Sequence, residues 1–233
     1  MKYAPSIDKY PDGAIVYCHG GAFRYGSSND DASFLTALSE ATHMRVYSVD
    51  FRNIDDARSV RGMVDDVLSN IEAIASDNSI KRIHLMGSSS GSYIAWITSM
   101  LLNNPERFGI KTSVNAESVT LISGFLMFNE NDSITQFFRL FPAFQTIREI
   151  KDIDMDYTDH NISRTLLITG DDDTCLIDSK TLHTRLLEKD PNLTKLIIAS
   201  SDEESVEHCF LTEHPDSNIS RNIMKEIKEF IEL

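Results

Sequence analysis

The chain has 233 residues with 36 acidic against 22 basic side chains, and the net charge of −14 argues against nucleic acid or an anionic membrane surface as a partner, since both need a cationic face. Hydrophobic residues at 41% and charged ones at 25% exclude a disordered or fibrous chain, and a domain of this length buries roughly 70% of its unfolded surface without staples. The three cysteines make no paired framework, no apolar stretch approaches the ~18 residues that span a bilayer, and the opening MKYAPSIDKYPDG is no secretory leader, so a reducing, cytoplasmic setting is expected.

The first strand candidate is Ala14–Cys18, followed at once by His19-Gly20-Gly21-Ala22-Phe23. A helical pattern covers Asp31–Thr42, then a strand at Arg45–Val49 runs into Asp50-Phe51-Arg52. A second helix lies near Val60–Ala75, and strand Arg82–Met86 leads into Gly87-Ser88-Ser89-Ser90-Gly91 and a helical run Ser92–Leu102. Strand Ser118–Ile122 precedes about forty residues with no clear strand, Gly124 to Ser163. That stretch carries Phe137, Phe138, Leu140, Phe141, Phe144 and Ile147, either a helix packed on a sheet edge or a small lid inserted within 125–160. Strand Thr165–Thr169 opens onto Gly170-Asp171-Asp172-Asp173, and a helix near Ser179–Leu187, strand Lys195–Ala199 and helix Ile219–Ile231 complete the series. Such βαβα alternation predicts one α/β domain over 1–233, with a mostly parallel sheet of about six strands, helices on both faces and right-handed crossovers. In sheets of this kind sites form beyond the carboxyl ends of the strands, where every motif named here falls.

Gly87-Ser88-Ser89-Ser90-Gly91, between a strand and a helix, has the pattern of a nucleophile elbow: a tight turn exposing the Ser89 hydroxyl, with small residues where strand and helix crowd. A serine hydroxyl is a weak nucleophile until a base takes its proton, and a third group must orient that base. The acid candidates are Asp171, Asp172 and Asp173, with Asp173 favoured because it lies three residues past a glycine turn. For the base, His208 in Glu207-His208-Cys209-Phe210 is preferred to His214, which precedes Pro215 in a loop leading into a helix. His43, His84, His160 and His183 read as structural or surface histidines, with His84 a packed, satisfied imidazole inside a strand. Acidic runs at Asp154–Asp159 and Asp202–Glu207 read as solvated loops and lack the spacing of a calcium loop. No His/Cys/carboxylate set shows metal-ligand spacing, and no cofactor is expected. Cys175 and Cys209 each lie within two residues of a candidate catalytic position.

These motifs resemble those of the hormone-sensitive-lipase-like branch of the α/β-hydrolases. His19-Gly20-Gly21-Ala22-Phe23 is similar to the family's HGGG-type loop, Gly87–Gly91 to its GxSxG elbow, Val49-Asp50-Phe51-Arg52 to its DYR segment, Gly170–Asp173 to its acid loop, and His208 to its late histidine. The resemblance implies an α/β-hydrolase fold but, without the family's cap, carries over no substrate preference; the first reading of the residues is a Ser89–His208–Asp173 triad cleaving carboxylic esters with small or medium acyl groups. The resemblance also implies oxyanion donors at the backbone N–H groups of Gly21, Ala22 and Ser90, with Gly20 keeping the loop tight and His19 orienting it. The substrate would be a small-molecule ester, or an amide or peptide handled by the same machinery; a catalytically silent interaction protein would be expected to have lost a triad member, and all three can be assigned. Three departures stand out. With 18 residues before His19, the family's N-terminal cap and first strands are expected to be absent. Ala22 replaces a glycine, which suits a backbone donor if its φ is negative, and Ser88 replaces an acid. Without a cap, the site is expected to be open, with at least one of Phe137, Phe138, Phe141 and Phe144 facing the Ser89 cleft.

Overall fold

Continuous apolar runs such as Ala14–Cys18 suit strands covered on both faces, and the sheet is built from them. The computed structural model describes residues 1–57, 59–78, 80–126 and 161–232. Among these, seven strands form one sheet: β1 (Lys2–Tyr3), β2 (Gly13–Cys18), β3 (Arg45–Val49), β4 (Arg82–Ser88), β5 (Asn115–Ile122), β6 (Arg164–Gly170) and β7 (Thr194–Ala199), in the order β1-β3-β2-β4-β5-β6-β7. Neighbours are parallel throughout except β1, which pairs antiparallel with β3, Lys2 facing Tyr47. The six expected strands are all present. The seventh, β1, lies before β2 and fits a sheet of about six strands; at two residues it is too short to show any period. The phenylalanine patch, and with it the expected lid, lies outside the described residues.

The helices follow their apolar periods: α1 (Ala32–Thr42), α2 (Ile54–Ala57), α3 (Val60–Asn78), α4 (Ser90–Asn103), α5 (Pro105–Phe108), α6 (Leu176–Lys189), α7 (Phe210–Glu213) and α8 (Asn218–Glu232). Side chains alternate across each strand. Ala14, Val16 and Cys18 of β2 therefore pack with α3 and α4 in one core, while Ile15 and Tyr17 pack with α1 and α8 in the other. α4 is buried at every residue from Ser90 to Leu102, so its apolar pattern runs all round rather than along one stripe. No described helix is long and apolar enough to cross a membrane.

His84, in β4, is 1% exposed, and its Nδ1 pairs with Ser118 Oγ at 2.8 Å. Its Nε2 has no hydrogen-bond partner, so the imidazole is only half satisfied, a correction to the fully satisfied residue expected. The reason is geometric: the nearest acid, Glu117, stands 3.7 Å away with its carboxylate partly in solvent. Burial, reinforced by Arg82 and Arg164, lowers the pKa of His84 from 6.5 to about 4. The unfolded chain thus binds this proton before the folded one does, and between those values stability falls as the pH falls. The effect should reach about 3 kcal/mol at the acid end of the window. Denaturant unfolding at pH 7 and pH 4.5 should show His84→Asn, which keeps a polar atom for Ser118, losing less stability on acidification than the parent by that order. Equal losses in both proteins would remove His84 from the account.

Candidate active site

The turn after β4 is held by backbone contacts that leave no room for side chains. A Cβ at Gly87 would run into the carbonyl of Gly91, and one at Gly91 into the carbonyl of Cys18. This close approach forces Ser89 to φ 49° and ψ −121°, a conformation costing about 1–3 kcal/mol that the surroundings must enforce. They do so through β5 and the segment after it: Ser89 N–H donates to the Ile122 carbonyl at 2.9 Å, and the Ser89 carbonyl accepts from Phe125 N–H at 3.2 Å. Ser92 Oγ donates to the Gly87 carbonyl at 2.8 Å.

Beyond β6, Asp171 and Asp172 point into solvent and Asp173 turns inward. The Asp173 side chain is fully buried, and its carboxylate accepts from Cys175 N–H at 2.8 Å, Thr169 Oγ1 at 2.9 Å and His208 Nδ1 at 2.9 Å. His208 Nε2 in turn lies 3.0 Å from Ser89 Oγ, within hydrogen-bond distance. The loop carrying His208 lies against the end of β6, where a Cβ at Gly170 would overlap the Val206 carbonyl. Three segments far apart in sequence thus meet in one hydrogen-bonded line. His214 stays exposed at the end of α7.

Burial disfavours charge on both members of the Asp173–His208 pair. For Asp173 the hydrogen bonds from His208 and Cys175, with the neighbouring Ser123 hydroxyl, overcome that penalty and hold the carboxyl below its ordinary range. For His208 the bond to Asp173, with the neighbouring Cys175 and Cys209 thiols, outweighs burial and raises its affinity for a proton well above the ordinary 6.5. Each favours the charged form of the other.

The loop after β2 curls over the Ser89 turn. Gly21, Ala22 and Phe23 have φ of 117°, 52° and 62°. Ala22 therefore does not meet the condition of a negative φ under which its replacement of glycine would be harmless. The curl that brings Arg24 and Tyr25 N–H onto the Gly21 carbonyl, at 3.0 and 2.8 Å, requires the positive φ. Phe23 N–H is taken by Ser90 Oγ at 3.1 Å, whereas no acceptor for Gly21 or Ala22 N–H is found among the described residues. Ser90 opens α4, where a helix leaves its first N–H groups without partners. His19 is 4% exposed, stacks on Phe51 at 4.4 Å and 7°, and meets the Gly20 carbonyl through Nδ1, so it supports the loop. Arg52 pairs with Asp66 at 2.9 Å, and Asp50 accepts from Ser28 N–H and Oγ at 2.8 and 2.7 Å. Ser89, His208, Cys209 and the Gly20–Ala22 loop line a cavity of about 440 Å³.

Residues 15–211 match a family model described as alpha/beta hydrolase fold. The chain belongs to that family. No curated protein matches the sequence at a significant level. Among solved structures, the α/β-hydrolase chain is similar to a tributyrin phosphonate-inhibited esterase B from Lactobacillus rhamnosis, with a TM-score of 0.80 at 16% identity over 99% of this chain and 79% of that one. It is similar also to an esterase from Pyrobaculum calidifontis (TM-score 0.73, 18% identity, 94% and 76% covered) and to the esterase LipW from Mycobacterium marinum (0.75, 18%, 98% and 74%).

Sequence reading missed the polar groups behind the line. Ser123 and Thr169 could have been suspected as hydroxyls at the carboxyl ends of β5 and β6, beside the motif strands. A second chain had no sequence signal: the buried Tyr17 hydroxyl donates to Asp31 Oδ2 at 2.6 Å and lies 2.7 Å from Ser88 Oγ, directly behind Ser89. Asp31 precedes α1 yet makes no cap bond to that helix. Metal-ligating atoms also gather here, since those of Asp173, Cys175 and His208 lie within 4.8 Å of one another. Replacing Tyr17 by Phe deprives Ser88 and Asp31 of their shared partner and should cost about 1–3 kcal/mol. Denaturant midpoints would measure it, and an unchanged midpoint would show the chain to be dispensable.

Proposed function

We propose that the protein is a serine hydrolase that cleaves carboxylic esters of small or medium acyl groups through an acyl-enzyme. The observation that carries this reading is the unbroken line from Asp173 Oδ1 to His208 Nδ1 and from His208 Nε2 to Ser89 Oγ, at 2.9 and 3.0 Å. Membership of the α/β-hydrolase family supports it, as does the likeness of its fold to those of esterases. The tributyrin phosphonate on one of them favours a short acyl chain.

In this reading Ser89 Oγ attacks the ester carbonyl while His208 Nε2 takes its proton. Asp173, held by its other donors, Cys175 N–H and Thr169 Oγ1, holds the ring so that Nδ1 keeps its hydrogen and Nε2 stays free to accept. The carbonyl oxygen gains negative charge as the bond forms, and the N–H groups of Gly21, Ala22 and Ser90 receive it, with Gly20 giving the loop its close approach. His208 then returns the proton to the departing alcohol. A water molecule, deprotonated by the same nitrogen, releases the acid and restores Ser89.

Ser89→Ala should lower kcat on short-chain chromogenic esters by a factor on the order of 10⁶, with a fluorophosphonate labelling Ser89 in the parent and nothing in the variant. Labelling at Ser88 or Ser90 would displace the nucleophile assignment. Asp173→Asn should leave the fold in place but cost up to about 10⁴ in kcat, because the ring loses its favoured tautomer. Asp172→Asn should leave the same assay unchanged, and the reverse pattern would reassign the acid.

A further inference from the structure

We propose that Asp173, Cys175 and His208 form a binding site for one soft divalent cation of the zinc or cadmium type, and that its occupation switches the site off. The binding stands on the geometry alone, while the inhibition rests on the hydrolase reading above.

The three candidate ligand atoms already lie within 4.8 Å of one another. Zinc bonds of about 2.0–2.3 Å place tetrahedral ligands roughly 3.5 Å apart, so closing on an ion needs shifts of about an ångström. Two ligands come from one short rigid turn, Asp173 and Cys175, whose carboxylate and backbone N–H are already bonded at 2.8 Å. The third, His208, presents Nδ1 to that carboxylate at 2.9 Å and keeps its side chain 37% exposed, which gives the ion an approach. A thiolate with an imidazole selects zinc or cadmium over magnesium or calcium.

Charge decides whether such a buried site can be occupied. Cys175 is 3% exposed and the Asp173 side chain fully buried, so an uncompensated dication there would be costly. One carboxylate and one thiolate supply two negative charges, and with a neutral imidazole the occupied site is neutral. Asp173 gives up a single hydrogen bond, that from His208, and keeps those from Cys175 N–H and Thr169.

The balance is simple. The ion displaces the Cys175 thiol proton and the Nδ1 proton of His208 to solvent and takes the Nδ1 position. The ring's one proton then resides on Nε2. A protonated Nε2 can no longer accept from Ser89 Oγ, so the nucleophile is not activated. No oxidant or reductant is involved.

Cadmium chloride added to the full chain tests both halves. A thiolate-to-cadmium absorption band saturating at one equivalent is expected, with parallel loss of ester hydrolysis that a chelator reverses. In Cys175→Ala and in Cys175→Ser, which retains the volume, the band should vanish. The cadmium concentration for half inhibition, measured against each variant's own metal-free rate, should rise at least about tenfold. Absence of a band, or a band lost in Cys209→Ala but retained in both Cys175 variants, would overturn the site. A Cys175-dependent band without inhibition would overturn the switch. The same band in a protein with no metal-free esterase activity would support the cation site and count against the hydrolase reading alone.

Discussion

The buried carboxylate of Asp173 is the constraint around which this end of the sheet is organised. An ionised group with no solvent contact is tolerable only when donors surround it. Here they come from β6 (Thr169), from the start of α6 (Cys175) and from the loop after β7 (His208). Satisfying one charge therefore ties three neighbouring pieces of chain together. Ser123 extends the tie, since its hydroxyl accepts from Cys209 N–H at 2.9 Å and so fixes the residue next to His208.

A different force holds the other half of the site. Around Ser89 there is little charge; the order comes from backbones packed so closely that only hydrogen fits between them. The Gly87–Gly91 contact and the Gly91–Cys18 contact press β2, β4 and α4 together. The resulting crowding keeps Ser89 in a conformation it would not choose, and every α4 residue up to Leu102 is buried to support it. A steric half and an electrostatic half meet at one hydrogen bond, from Ser89 Oγ to His208 Nε2.

What could be read from the sequence follows this division. The strands were legible because continuous Val, Ile and Leu runs have few alternatives to a sheet covered on both faces. The steric half was legible because glycine at two fixed offsets from a serine is itself the signature of close approach. The preference for Asp173 rests on its lying three residues past a glycine turn; in the structure it is buried while Asp171 and Asp172 are exposed. Other features were invisible for physical reasons. β1 is too short to have a period. The φ of Ala22 is imposed by two N–H groups sharing the Gly21 carbonyl, and residue identity does not show that sharing. The hydroxyls around Asp173 are common side chains whose role arises only when separate strand ends are brought side by side.

Asp31 illustrates how one side chain can serve only one of two neighbours. A helix start ordinarily uses such an aspartate to hold its first free N–H groups, a contact worth about 1 kcal/mol. Here the carboxylate is engaged by Tyr17 instead, at 2.6 Å, and the first turn of α1 has no side-chain cap. That turn should open more often than the rest of its helix, and its amides should exchange with solvent hydrogen first. Rigidity behind Ser89 is thus gained at the expense of a frayed helix end a short distance away, and the two should trade against each other whenever the Tyr17–Asp31 bond is broken.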